Sequence, residues 1–526
     1  MKNKVIILTV IIFFIGIFYI IDIEGLEDFS NSVSIKNVST IDKEKLQEIK
    51  KNRKSSEYDL LKLKYENNDI PYDAKKNIYY ICDYKDECSF DLFFSNNTSI
   101  NYINTNDRIE IIAYNQKKYK IYNVYLTKFP IVNITVSSKK NDNELISQKY
   151  TPGQISIFDN TEKENKLKVI NETAQFKIRG LSSKNYDKKS YSIQFIDSSS
   201  GHKKMVDGLL GFKSNNMFAL NSLYEDNSKI RDILSLNTWK QINNKKTNDI
   251  NMKYVEVIIN NQYYGLYGFS EVVNEHTLNA EGDDSVIYKI NNHTIPQLNT
   301  FSDDLLVNDS IEISYPYIAK SRNWDPIKNL IKLNYYSNNK QFDNNILKYI
   351  DIDNCVDYFI LCELTHNADG LWKNNVFKCN KNNNKVIKIP WDFDLTWGVC
   401  WDETNDLMVN YNSKLSYDLL VNRKNGVCLG YLEQRLWQNN VGNFRQKVAQ
   451  RWKELRGGFL ETESFVNYAN SLYDEVTESG AREREHERWP DGGYSTDNSF
   501  IEKFIRQRLP YLDSQFLQYL DDSGEN

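Results

Sequence analysis

Hydrophobic positions change their period along the chain, and the changes mark its segments. Behind Lys2 and Lys4, Val5 to Ile21 is a charge-free, mostly apolar run. As a helix it would reach roughly 26 Å, close to the ~30 Å of a bilayer's hydrocarbon core. Positive charge ahead of it predicts a signal anchor over 1–23, with the N-terminus inside and the rest of the chain facing outward. Asp22 and Glu24 follow at once in place of a small-residue cleavage site, although a cleaved signal peptide is the other reading. Residues 24–75 are polar and charged and read as a stalk. From 76 to 128, runs such as I-Y-Y-I, F-D-L-F-F and R-I-E-I-I-A-Y alternate with a period of two, the pattern of a small all-β module.

From residue 129 to the end, strand and helix periods mix. Strands are expected at Ile131 to Val136, Gln175 to Arg179, Tyr191 to Phe195 and Met217 to Ser222. A hairpin is expected at Tyr254 to Ile259 with Tyr263 to Glu271, and a further strand, carrying Lys289, at Val286 to Ile290. An amphipathic helix should follow Glu225-Asp226-Asn227-Ser228, with others at 325–333, 344–364, 431–455, 462–478 and 499–519. The fold class is therefore α+β.

Composition narrows the function. The chain has 526 residues, 40% hydrophobic and 13% aromatic, enough for large cores and unlike a disordered chain. Its net charge is −5, and no basic stripe interleaves with aromatics, so nucleic acid is not an expected partner. Seven cysteines without C-x-x-C and five scattered histidines do not make a zinc site. Lysine outnumbers arginine up to Leu429 and the reverse holds beyond it, as if gene segments had been joined. The helical pattern of the tail can still complete the same core.

Candidate chemistry concentrates between Thr365 and Gly398. Asp369 lies in a turn-prone A-D-G loop, Asn374 follows five residues later, and a hairpin from Asn375 to Trp391 delivers Asp392 and Asp394. Phosphoryl transfer uses such parts: a carboxylate that orients the attacking hydroxyl, an amide, and a carboxylate on the metal ions. Solvated carboxylates in an ordinary hairpin would give the same spacing. Upstream, R-G-L-S-S-K-N-Y-D-K-K can present backbone N–H groups and cations to phosphate, or form a plain hairpin turn. Arg231 falls in the first turn of a helix, where a cation opposes the dipole, so it needs a partner; Asp226 is the simple one.

Five ordered motifs carry a family resemblance: R-G-L-S-S with K-K-S-Y-S-I-Q-F, E-D-N-S-K-I-R-D, I-N-N-Q-Y-Y-G-L-Y-G-F-S-E, N-A-D-G-L-W-K-N-N-V-F-K and P-W-D-F-D-L-T-W-G. From about Phe129 to Leu517 the chain resembles the CotH family of atypical kinases. The resemblance implies a two-lobed, protein-kinase-like domain over 129–526, ATP with Mg²⁺ or Mn²⁺, and transfer to Ser or Thr of a protein. It implies Asp369 as the catalytic residue and Asp392 as the metal ligand, supported by Asp394 and by Asn374 or Asn375. Arg179, Ser182, Ser183, Lys188 and Lys189 would face the nucleotide phosphates, with Arg231 and Glu271 nearby, and one of the two lysines is expected to pair with Glu271. Gly370 stands where the family often has Arg after the catalytic Asp. The expected protein is a membrane-anchored, outward-facing kinase. The alternatives are a non-catalytic surface or coat protein that keeps the fold, and transfer of a nucleotide in place of a phosphoryl group.

Overall fold

From Ile131 onward, alternation of buried and exposed residues closes a sheet on itself in the computed structural model of the protein. The structure describes residues 29–520 apart from 83–89, 106–107, 138–144, 162–166, 181–182, 244–248, 281–284, 291–296, 303–306, 309, 318–322, 368–369, 372–373, 381–383, 402–406, 410–414 and 417–431. Two units result, one formed by 29–70 with 90–123, the other by 71–82 with 124–520.

The smaller unit corrects the expected division into stalk and β module. Strands Asn31–Ser34, Leu61–Tyr65, Asn68–Asp69 and Asp91–Phe94 form a sheet. Ser99–Asn104 pairs with Arg108–Tyr114. The K-L-Q-E-I-K-K pattern is a helix, Lys43–Lys51, with Asp42 capping the Lys45 amide, and its Leu46 and Ile49 pack with Ile103 and Ile112. The stretch read as stalk is thus folded from Asn31 on, because L-K-L-K-Y alternates and buries Leu61 and Leu63.

The expected membrane anchor, Val5 to Ile21, lies outside the described residues. Among the described residues no helix is long and apolar enough to cross a membrane. Neither the anchored, outward-facing arrangement nor a fold class built on it is therefore supported. What stands is a mixed α/β chain organised on a closed barrel.

The barrel's strands are β1 (Ile131–Val136), β2 (Thr151–Asp159), β3 (Lys168–Arg179), β4 (Ser190–Phe195), β5 (Met217–Asn221), β6 (Met252–Ile259) and β7 (Gln262–Glu271). Neighbours run β1-β2-β3-β4-β5-β7-β6, and β1 closes the ring by pairing parallel with β6. Alternate residues such as Val132, Ile134, Phe176, Ile178, Phe218 and Phe269 fill the interior, as strand periodicity requires. Between β5 and β6 the chain makes helix α1 (Arg231–Ile242).

A second, antiparallel sheet contains β8 (Ser285–Ile290), β9 (Ile311–Tyr315), β10 (Asn375–Asn380) and β11 (Val386–Ile389), with β8 between β9 and β10. Around it pack α2 (Asp325–Tyr336), α3 (Ile352–Thr365), α4 (Phe444–Arg456), α5 (Thr462–Glu478) and α7 (Ser499–Phe516), whereas α6 (Ala481–Arg488) lies against β7 of the barrel. Their apolar faces join those of α1 and β8 in one core that includes Trp239, Phe359, Trp397, Trp452 and Phe516. The arginine-rich tail therefore completes this core, and the compositional shift at Leu429 is not a domain boundary. Cys355 and Cys362 are buried in the same core, and Cys82 is buried as a free thiol.

Candidate functional site

A cleft of about 450 Å³ opens where the ends of β3, β4, β5 and β7 approach the segment after β11. Helix α1 determines how that segment lies. Asp232, in the helix's first turn, accepts a hydrogen bond from the Phe393 amide at 2.9 Å. Arg231 donates from Nε to the Thr396 carbonyl at 3.1 Å, and Trp397 donates its indole N–H to Ser235 Oγ at 2.9 Å. The Trp397 amide also reaches the carbonyl of Thr365, at the end of α3. Residues 391–398 are thus fastened at four points.

Strand β11 ends at Ile389, and Asp392 takes a left-handed backbone at φ 65°. The strand thus does not continue through Asp392 and Asp394. Both carboxylates nevertheless line the cleft. Aspartate, like asparagine, visits this region more readily than most residues, because its short polar side chain can hydrogen-bond locally. Asn374 also lies at positive φ, which asparagine tolerates well, and its side-chain amide donates to Asp392 Oδ2 at 2.9 Å. Asn375 begins β10 and is buried.

Asp369 lies outside the described residues. Its neighbours are fixed: the Gly370 amide donates to Asn367 Oδ1 at 2.7 Å, and the Tyr358 hydroxyl donates to the Gly370 carbonyl at 2.7 Å.

Charge is unevenly compensated in the cleft. Asp232 is buried beside Asp392; desolvation first, and then the Asp392 carboxylate, push its pKa up to about 7. Arg179, at the end of β3, lines the same space, and its Nη1 is buried without a hydrogen-bond partner among the described residues. Burial lowers its pKa, while Asp392 and Asp232 oppose that loss. Ser183 lines the cleft beside Gly180, whereas Ser182 lies outside the described residues.

The other expected phosphate contacts are placed differently. Lys188 is fully buried and pairs with Glu485 of α6 at 2.7 Å, not with Glu271. Its amine also donates to the Leu266 carbonyl, and burial pushes its pKa down to about 7 even beside that carboxylate. Lys189 donates to the Tyr186 carbonyl. Glu271 accepts from the amide and side chain of Asn251, away from both lysines. Arg231 pairs with Asp226, the simple partner, as well as reaching Thr396.

Sequence reading missed two residues that matter here. Asp232 stood inside a quoted motif, but an acid in the first turn of a helix is already explained by the dipole. Glu485 lies in A-R-E-R-E-H-E-R, which has no apolar face to announce a packed helix.

The comparisons with known proteins agree with this geometry. The family model described as "CotH kinase protein" matches residues 176–512. One relative, "Inner spore coat protein H" of Bacillus subtilis (strain 168), is 25% identical over 225 residues, covering 42% of this chain and 58% of the relative, less than two thirds of its length. The matched span runs from within β3 to within α7, and so takes in every cleft residue named above. On that match the chain belongs to the CotH family.

Proposed function

We propose that the chain is an ATP-dependent protein kinase that transfers the γ-phosphoryl group to Ser or Thr hydroxyls of a protein, with Mg²⁺ or Mn²⁺. The observation that carries this reading is the charge pattern of the cleft. Two carboxylates stand close enough to perturb one another, and Nη1 of the buried Arg179 guanidinium nearby has no hydrogen-bond partner among the described residues. A divalent cation would relieve the first and a phosphate oxygen the second.

Among the described residues no three His, Cys, Asp or Glu side chains come together. A hard cation would accordingly take Asp392 and Asp232, with Asn374 and Asp394 at hand, and fill its shell with phosphate and water oxygens, as Mg²⁺ commonly does. The ion would neutralise charge on the phosphates. In this reading Arg179 and Ser183 hold phosphate. Leu223, Leu236, Ile250 and Met252 give the cleft an apolar wall on which a base can rest. Asp369 orients the acceptor hydroxyl and takes its proton. Lys188, Lys189, Arg231 and Glu271 support the cleft's walls through the contacts described.

The relative is named as a spore coat protein, which favours a second reading, a coat assembly protein that keeps the fold without transfer. Incubating the full chain with γ-labelled ATP, metal and candidate acceptor separates them. The kinase reading expects label on protein, lost with Asp392→Ala, and intact mass distinguishes a phosphoryl from a nucleotidyl adduct. Absence of any adduct with bound ATP would favour assembly.

A further inference from the structure

Two cations stand over the ring of Trp391. The Arg179 guanidinium is 5.3 Å from its ring centroid and the Lys289 amine, from β8, is 5.2 Å away. The amine of Lys289 makes no hydrogen bond or ion pair with any described residue. Glu312 faces it across the β8/β9 ladder, and Val376 across β8/β10, where Ile290 pairs with Asn375. Lys289 therefore stands beside the strand that begins at the cleft's asparagines.

Arg179 and Lys289 repel each other over one indole. Burial, and then the Arg179 guanidinium, push the Lys289 amine down to about 8, with Glu312 opposing. The indole face attracts each cation but cancels neither charge, and the carboxylates of Asp392 and Asp232 offset only part of that on Arg179. Arg179 also keeps a buried N–H without an acceptor among the described residues. A cation pair of this kind, one member with an unused donor, is stabilised by an anion that offers several oxygens at once; a lone carboxylate would serve one cation and leave the other. Trp391 immediately precedes Asp392, so that anion would lie next to the carboxylate assigned to the metal.

We infer that Lys289 and Arg179, the two cations over Trp391, bind the terminal phosphate of the nucleotide. This rests on the kinase reading but adds a residue which that reading does not require. Lys289 thereby sets the preference for a nucleoside triphosphate over a diphosphate.

The test is calorimetric titration of the full chain with ATP, ADP and tripolyphosphate in Mg²⁺, comparing wild type with Lys289→Met, Lys289→Gln and Lys289→Arg. The neutral variants should lose about tenfold or more in affinity for ATP and tripolyphosphate, and change little toward ADP, as expected for loss of a charge-assisted contact. Lys289→Arg should keep most of the preference. Thermal unfolding without ligand should show the neutral variants at least as stable as wild type, because the lost charge has no ion-pair partner. Unchanged ATP and tripolyphosphate affinity in both neutral variants would overturn the inference while leaving the kinase reading in place. A raised KM for an acidic acceptor peptide with unchanged ATP affinity would overturn it in favour of an acceptor contact. Failure of the wild type to bind ATP would overturn both.

Discussion

Two regions of the barrel unit bury charge, and they treat it in opposite ways. Along the seam with α6, each acid meets a base. Arg484 reaches Glu256 with two nitrogens, at 2.6 and 2.9 Å, and the hydroxyls of Thr127 and Tyr263 donate to the same carboxylate. Glu485 takes Lys188 at 2.7 Å and the Leu266 amide at 2.9 Å. Arg488 and Trp489 close on the carbonyls of Tyr263 and Tyr264. In the cleft, like stands beside like, Asp232 with Asp392 and Arg179 with Lys289, and Arg179 offsets the two carboxylates only in part. Buried charge that is fully paired holds a fold together, whereas buried charge left against its own sign marks a place completed by something else. The same helix α1 serves both roles, since Arg231 is paired with Asp226 while its neighbour Asp232 is compensated only in part, by the Phe393 amide and Arg179.

The comparison can be broken most severely through the chemistry. Asp369→Asn should retain ATP and metal binding yet lose transfer by a factor of about 10² or more, the usual worth of a positioned base. Labelled-phosphate assays on folded protein check this, and full activity would remove Asp369 from its assigned role.

Next in size is the seam. Glu485→Gln leaves Lys188 buried without its counter-charge, and breaking one partner of a buried pair typically costs about 3–5 kcal/mol. Denaturant midpoints should fall accordingly. A loss below about 1 kcal/mol would place this pair with ordinary surface ion pairs and weaken the contrast.

The cleft should behave in the reverse sense. Asp232→Asn keeps an acceptor for the Phe393 amide and removes the repulsion with Asp392, so the metal-free protein should gain stability as it loses Mn²⁺ affinity. The sign follows from linkage. Asp232 has a folded pKa of about 7 against an ordinary 3.8, so the wild type loses stability as pH rises between these values. The variant escapes that loss. Its advantage should therefore be complete above pH 7 and fade toward pH 4. A Tm difference independent of pH would mean that Asp232 is compensated after all.

The smallest effect belongs to pairs outside both regions. Lys128 and Glu478 lie 3.4 Å apart and are both well exposed. Lys128→Ala should change stability by less than about 0.5 kcal/mol, and added salt should erase even that.

Much of this contrast was legible in the chain. Alternation at Ile131–Val136, Tyr191–Phe195 and the Tyr254–Glu271 hairpin announced the barrel strands, because each buries one face. The motif around Asp392 announced the cleft. The seam was hidden for two physical reasons. Its helix is buried by ion pairs and so lacks the apolar stripe that periodicity detects, and Glu485 stands 297 residues from Lys188. A pairing of Lys188 or Lys189 with Glu271 fails because the barrel turns Lys188 toward α6, while Lys189 donates to the Tyr186 carbonyl. Asp232 was hidden because one helical acid has a local explanation until the fold brings Asp392 beside it. The stalk was misjudged because its short strands carry lysines on their outer faces, as in Lys62 and Lys64 between buried Leu61 and Leu63.

The central claim is that the cleft's like charges form a metal–nucleotide site. Its most direct test is calorimetric titration of the full chain with ATP, with and without Mn²⁺, for wild type and Asp392→Ala. The account predicts binding by the wild type that strengthens with Mn²⁺, and loss of that metal dependence in the variant. Equal ATP affinity in all four titrations, or none in any, would contradict it.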